Sequence, residues 1–298
     1  MLNLSRKKSS LAKVFYLSPF ISFVILVIIN HKLLKMKNIL LLLILFAGFT
    51  VKSQDWSSVY RVVEEITLND GLEEQYLEFE KFWQVVKEQQ IKDGKLVGWF
   101  IWKVDPASND NPWAEYLVYN VYKDKLQMEE MQSKSVDWWL DYIASVHKGK
   151  TKRSVIKKYI KETQDNKYRE KSVVYTLKGL GATLAEGAAP QTGMKGTYIR
   201  MEELSDDYVD FEINYFAPKH FKNNSRLYWD LNEIISRSEN AHKQVSHVIF
   251  EVVNPDRTEG NNNGELSFEE KMTRKYGYKS RNLLGYLQAD LKLFSWIY

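Results

Sequence analysis

From residue 59 onward the chain alternates short apolar runs of period two with longer stretches of helical period. Val59–Leu68 (VYRVVEEITL) is β-branched and alternating, which predicts a strand. Asn69-Asp70-Gly71 turns the chain and offers an N-cap. Leu72, Tyr76, Phe79, Trp83 and Val86 then recur at helical spacing, predicting an amphipathic helix over 71–92 that Gly94 ends. Leu96–Val104 and Trp113–Tyr122 predict a hairpin around the turn-rich DPASNDNP. A helical stretch from Lys125 to about Val146 and a basic helix from Ser154 to Glu170 precede a strand at Ser172–Leu177. That order is βαββαβ with a helical insertion, the split-βαβ or ferredoxin-like arrangement.

Residues 178–196 (KGLGATLAEGAAPQTGMKG) hold five of the fourteen glycines and read as a domain boundary. Beyond it the opening pattern returns. VVEEI at 62–66 is echoed by IRMEEL at 199–204, Tyr76–Glu80 (YLEFE) by Tyr208–Glu212 (YVDFE), and Val104-Asp105-Pro106 by Val253-Asn254-Pro255. Three echoes in one order predict an internal duplication. The second copy carries an insert, RLYWDLNEIISRSENAHK, read as helical, and a tail with helical content around Arg281–Asp290. The expected organisation is a leader over 1–53, a first repeat over 54–177, a linker over 178–195 and a divergent second repeat over 196–298.

Composition changes the picture at the N-terminus. The 298 residues carry a formal net charge of +4, yet residues 1–53 contain eight Lys or Arg and no Asp or Glu. From Gln54 onward 34 basic residues face 38 acidic ones, a net −4. The apparent basicity therefore does not point to nucleic acid. Residues 36–53 have the charged, apolar and small-residue regions of a secretory signal peptide, with cleavage expected between Ser53 and Gln54 and Met36 as a start. Residues 1–35 are then an over-long start. Alternatively, the apolar run 14–30 is a transmembrane anchor. The expected location is periplasmic or secreted, with membrane attachment only through an uncleaved leader. There is no cysteine, which excludes disulfides, thiolate metal sites and a cysteine nucleophile.

The pattern Tyr-x-x-Phe-Glu-x-x-Trp at 76–83, followed by Gly98-Trp99, resembles the dimeric α+β barrel superfamily, including small exported bacterial proteins of that build. The resemblance implies an α+β fold in which two ferredoxin-like repeats pair their sheets as an intramolecular barrel. Superfamily members include cofactor-independent monooxygenases, haem-degrading enzymes and haem peroxidases, but no catalytic motif of theirs aligns here residue by residue.

Few residues offer chemistry. Glu80 sits within an aromatic stripe and Glu212 repeats it; a carboxylate buried among aromatics has a raised pKa suited to acid–base work, or it borders the stripe and pairs with a cation. His220 and His247 could join Glu212 in a two-histidine-one-carboxylate site, yet no close-spaced ligand motif exists, so no metal or other cofactor is expected. Tyr76, Trp83, Trp99, Trp102 and Tyr116 are candidate walls of a pocket for a small apolar or aromatic ligand, and equally candidates for core. Trp99 and Trp102 must face opposite sides of their strand. The run His147–Lys161 carries seven Lys or Arg and reads as a solvated helix face. The leading expectation is an exported binding or structural domain. The alternatives are a cofactor-independent or haem-related enzyme using Glu80, Glu212 and His220, and an envelope-anchored interaction domain.

Overall fold

The computed structural model describes residues 58–109, 112–222, 224–257 and 265–297. The candidate start, signal peptide, anchor and cleavage site at Ser53 and Gln54 lie outside them. Among the described residues no helix is long and apolar enough to cross a membrane.

Eight strands carry the fold: β1 (Tyr60–Leu68), β2 (Gly98–Val104), β3 (Tyr116–Tyr122), β4 (Arg169–Leu184), β5 (Lys195–Glu203), β6 (Arg226–Arg237), β7 (His247–Val253) and β8 (Arg281–Trp296). They close into one barrel in the order β1-β3-β2-β8-β5-β7-β6-β4, with every pairing antiparallel. This corrects the expected fold of two ferredoxin-like sheets paired with one another. The physical reason lies in β4 and β8, each sixteen residues long. β4 pairs with β1 and, through Tyr175–Leu184, with β6. β8 pairs with β5 and, through Ala289–Trp296, with β2. These long strands stitch the halves into one ladder, which leaves no sheet edge exposed.

Two further expectations change for the same reason. Residues 179–184, read as linker, continue β4, and the segment 226–237, read as a helical insert, is strand β6. The tail around Arg281–Asp290 is likewise strand. The 226–237 segment, with its Leu, Ile and charged residues, mimics a helical face, and barrel pairing decides its state.

Helix α1 (Glu73–Lys92) lies against the outer face of β1–β3. It begins at Leu72 without a side-chain cap, after Gly71 at φ 73°, and Glu73 and Glu74 complement its N-terminal dipole. Helices α2 (Lys125–Gln132), α3 (Val136–Val146) and α4 (Arg153–Gln164) follow, the first two replacing the single stretch expected. In the second half the helix echoing α1 is short and broken: α5 (Tyr208–Phe211), a π-turn at Glu212–Phe216, then α6 (Ala217–Lys222) with Pro218 inside it. Helix α7 (Phe268–Gly277) opens with a capping box from Ser267 and Glu270.

Alternation sorts the strand residues between the barrel lumen and its outer face. Val63, Trp102, Leu117, Tyr119, Tyr175, Tyr198, Phe250 and Leu287 fill the barrel lumen. Ile66, Leu68, Trp99, Ile101 and Val118 pack outward against Tyr76 and Phe79 of α1. The lumen also holds two buried ion pairs, Arg61 with Asp230 and Arg200 with Glu65. Arg61 donates to Asn232 Oδ1 at 2.6 Å, and the Arg200 guanidinium lies 4.1 Å from the Trp113 ring centroid. The Arg61–Asp230 pair is bonded further to Asn232 and Tyr228, the condition under which buried charges are tolerated.

Candidate functional site

Tyr76, Glu80, Trp83 and Lys87 stand at i, i+4, i+7 and i+11, so one face of α1 carries all four toward the sheet. Opposite them, the outward positions of the strands present Glu64 from β1, Trp99 from β2 and Asn120 from β3, and Arg169 opens β4. Trp139 of α3 and Ile160 of α4 complete a pocket of about 400 Å³ between the helices and the barrel wall.

The charged groups in this pocket are coupled. Glu80 is 3% exposed, and burial pushes its carboxyl from 4.5 up to about 7, against the pull of Arg169 and Tyr76. The Arg169 guanidinium lies 3.8 Å from Glu80 and donates to Glu64 Oε1 at 2.9 Å. The Ser172 hydroxyl donates to the same Glu64 oxygen. Lys87 Nζ donates to Asn120 Oδ1 at 2.8 Å, and burial lowers its ammonium to about 8, with Glu80 and Glu64 opposing that shift. The Tyr76 hydroxyl is buried beside Glu80 with no hydrogen bond formed, and burial keeps it protonated far above its ordinary pKa. The pocket therefore offers a carboxyl that gains or loses a proton near neutrality, two cations beside it, and aromatic walls.

The sequence candidates distribute unevenly. Glu80, Trp83 and Trp99 line this pocket, and Tyr76 lies behind Glu80. Tyr116 packs edge-on to Tyr76 and donates to Glu73 at 2.7 Å, outside the pocket. Trp102 faces the lumen instead. Glu212 is 2% exposed, and its partner is Arg281, whose guanidinium is 4.5 Å from the Phe216 ring centroid. Glu212 and His220 line neither the α1 pocket nor the lumen cavity.

Among the described residues no group of three His, Asp or Glu could hold a metal, so Glu212, His220 and His247 are not brought together as ligands. His247 lies 3.8 Å from Glu203 and edge-on to Tyr208, with burial lowering its pKa to about 4. His147 stacks on Phe82 at 4.1 Å between centroids. Among the described residues no histidine lines either pocket, so neither of these two pockets fits a histidine-ligated haem. All seven Lys and Arg side chains of 147–161 are exposed, a solvated surface.

Lys87, Glu64, Asn120 and Arg169 were missed as site residues. Lys87 was legible, since it falls seven residues after Glu80 on the apolar face. Glu64 was legible as a charge on the helix-facing parity of β1. Arg169 carried no signal, because its position depends on where β4 begins.

No family model matches the chain, and no curated protein matches it. Solved structures similar to it include three at 13% identity or less. One is a proposed monooxygenase from Lactobacillus acidophilus, 10% identical, covering 78% of this chain and 93% of its own, with a TM-score of 0.47. A proposed monooxygenase from Fusobacterium nucleatum is 13% identical, covering 79% of this chain and 92% of its own, with a TM-score of 0.46. An anthrone oxidase-like protein is 6% identical, covering 80% of this chain and 93% of its own, with a TM-score of 0.47. Likeness at this level gives this chain no residue role, ligand or reaction.

Proposed function

We propose that the chain is a cofactor-independent enzyme that moves a proton on a small planar substrate held in the α1 pocket. The observation that carries this reading is Glu80: a buried carboxyl with a pKa of about 7, in one pocket with Lys87 and Arg169. A general base works best when its pKa lies near the operating pH. The ionised Glu80 takes a proton from a carbon or hydroxyl of the substrate. The negative charge left on a substrate oxygen is stabilised by the Lys87 ammonium or the Arg169 guanidinium, and the Glu80 acid returns the proton to the product. Tyr76, kept protonated, places an unpaired hydroxyl beside the Glu80 carboxyl. Trp83, Trp99 and Trp139 give a planar substrate apolar surface and limit water around the reacting groups.

The test is hydrogen exchange at acidic C–H positions of planar ketones and phenols in D₂O, followed by proton NMR. The wild-type chain is expected to accelerate exchange for at least one member of the panel. Glu80→Gln should abolish that acceleration, and Lys87→Met should reduce it by about 10²-fold, the scale of one removed electrostatic stabiliser. Exchange that persists unchanged in Glu80→Gln overturns the assignment and favours a pocket that binds without chemistry. The leader pattern at 36–53 supports a site of action outside the cytoplasm, periplasmic or secreted, which we propose with it.

A further inference from the structure

The barrel lumen contains a second cavity, of about 110 Å³, on the other side of the sheet from the α1 pocket. Its walls are rings: Phe100 and Trp102 of β2, Tyr119 of β3, Phe250 of β7 and Trp296 of β8. Its floor is the Arg61–Asp230 ion pair with Tyr228, and its mouth is the segment after β4, at Ala188, Ala189 and Pro190. That segment is the glycine- and alanine-rich stretch whose composition stands out in the sequence.

We infer that this lumen cavity is a binding site for a small uncharged ring of about benzene size, separate from the α1 pocket and not dependent on its function. At about 110 Å³ the cavity is smaller than the apolar cavity of about 150 Å³ that accepts benzene, so one such ring is the largest ligand it admits. The backbone makes room for the walls at two glycines. A Cβ on Gly98 would lie 2.4 Å from the Trp296 ring, and one on Gly196 would lie 2.5 Å from Phe250 and 3.0 Å from Trp102. Contacts that close are excluded for any larger residue without moving the rings, so glycine at these points is what lets the aromatic cage form.

Charge selects the ligand class. Arg61 Nη2 is 3.1 Å from Asp230 Oδ2, Tyr228 donates to the same carboxylate at 2.5 Å, and Asn232 donates to it at 2.7 Å. The floor is thus already neutralised and hydrogen-bonded. An ionic ligand would enter without a counter-charge, whereas a neutral ring loses nothing by leaving water. The mouth segment is tied down at both ends, by Ala185 N–H to the Leu227 carbonyl and Gly193 N–H to the Leu291 carbonyl, each 2.8 Å. Between those anchors the residues at the cavity are Ala188, Ala189 and Pro190, with small side chains.

The test uses fluorobenzene, followed by fluorine NMR on the folded full chain, with benzene as competitor. Saturable one-to-one binding is expected for wild type and for Glu80→Gln. Ala189→Trp, which plugs the mouth from a half-buried loop, should weaken it at least tenfold, and Val252→Phe, which fills the lumen from the wall, should do the same. Should Val252→Phe fail to fold, Ala189→Trp decides alone. Binding that survives Ala189→Trp, or that is lost in Trp83→Ala of the α1 pocket, overturns the site. Absence of saturable binding to folded wild type also overturns it and leaves the cavity a packing void.

Discussion

Replacing Glu80 by glutamine should make the folded chain more stable near neutral pH while removing its chemistry. The carboxyl is raised from 4.5 to about 7 chiefly by burial, so the folded state holds that proton more tightly than the unfolded state does. Between those two pH values the folded chain carries more protons, and stability from this group falls as pH rises, levelling off above about 7. At about 1.4 kcal/mol per pKa unit, ionising Glu80 in the fold costs roughly 3 kcal/mol by pH 7.5 and less than about 1 kcal/mol at pH 5. Glutamine cannot ionise, so Glu80→Gln should gain on wild type by about 2 kcal/mol between those pH values. Lys87 loses its counter-charge in the variant, which trims the gain toward about 1 kcal/mol. Urea unfolding of both proteins at the two pH values reads this directly, through the midpoint at constant slope. Parallel loss of stability with pH in both proteins, or a variant less stable at the higher pH, refutes the claim that burial dominates at Glu80.

Further outcomes follow from the same geometry. Any proton-transfer activity should show a narrow bell-shaped pH profile, rising as Glu80 ionises near 7 and falling as Lys87 loses its proton near 8; a profile flat from about 6 to 9 contradicts the pairing. Asp230→Ala should cost about 3–5 kcal/mol in thermal or urea unfolding, because it strands Arg61 inside the lumen, and adding Arg61→Met should recover part of that. Gly98→Ala should destabilise by about 1–3 kcal/mol in the same assay, since its methyl meets the Trp296 ring at 2.4 Å. N-terminal sequencing of the exported protein should begin at Gln54; retention of residues 14–30 sinks the signal-peptide proposal.

What the sequence made legible was local. Strand β1, helix α1 and the hairpin of β2 and β3 follow from period-two and helical spacing, because each buries one face against a neighbour close in sequence. Barrel closure was not legible, for it depends on pairings such as Gly98 with Trp296 and Leu177 with Ile234, remote in the chain and silent in any local window. β6 shows the cost of that silence, as its LNEII core fits a helical stripe until the ladder with β4 and β7 is known. The site divides along the same line. Glu80 was visible from its own helix, as were Lys87 and the helix-facing parity of Glu64, whereas Arg169 enters the pocket from a strand whose start no local window sets. The Glu212 echo shows why repetition alone misleads. The same carboxylate, set on a π-turn in a broken helix, meets Arg281 rather than a pocket.

The central claim is that one buried carboxyl on α1 exchanges its proton near neutral pH. Carbon-13 labelling of glutamate carboxyls and NMR titration from about pH 3 to 9 measures it directly. A glutamate resonance should titrate near 7 and vanish in Glu80→Gln, while Lys87→Met moves it further upward by removing a nearby positive charge. Glutamate carboxyls that all titrate in the ordinary range near 4 would contradict the account.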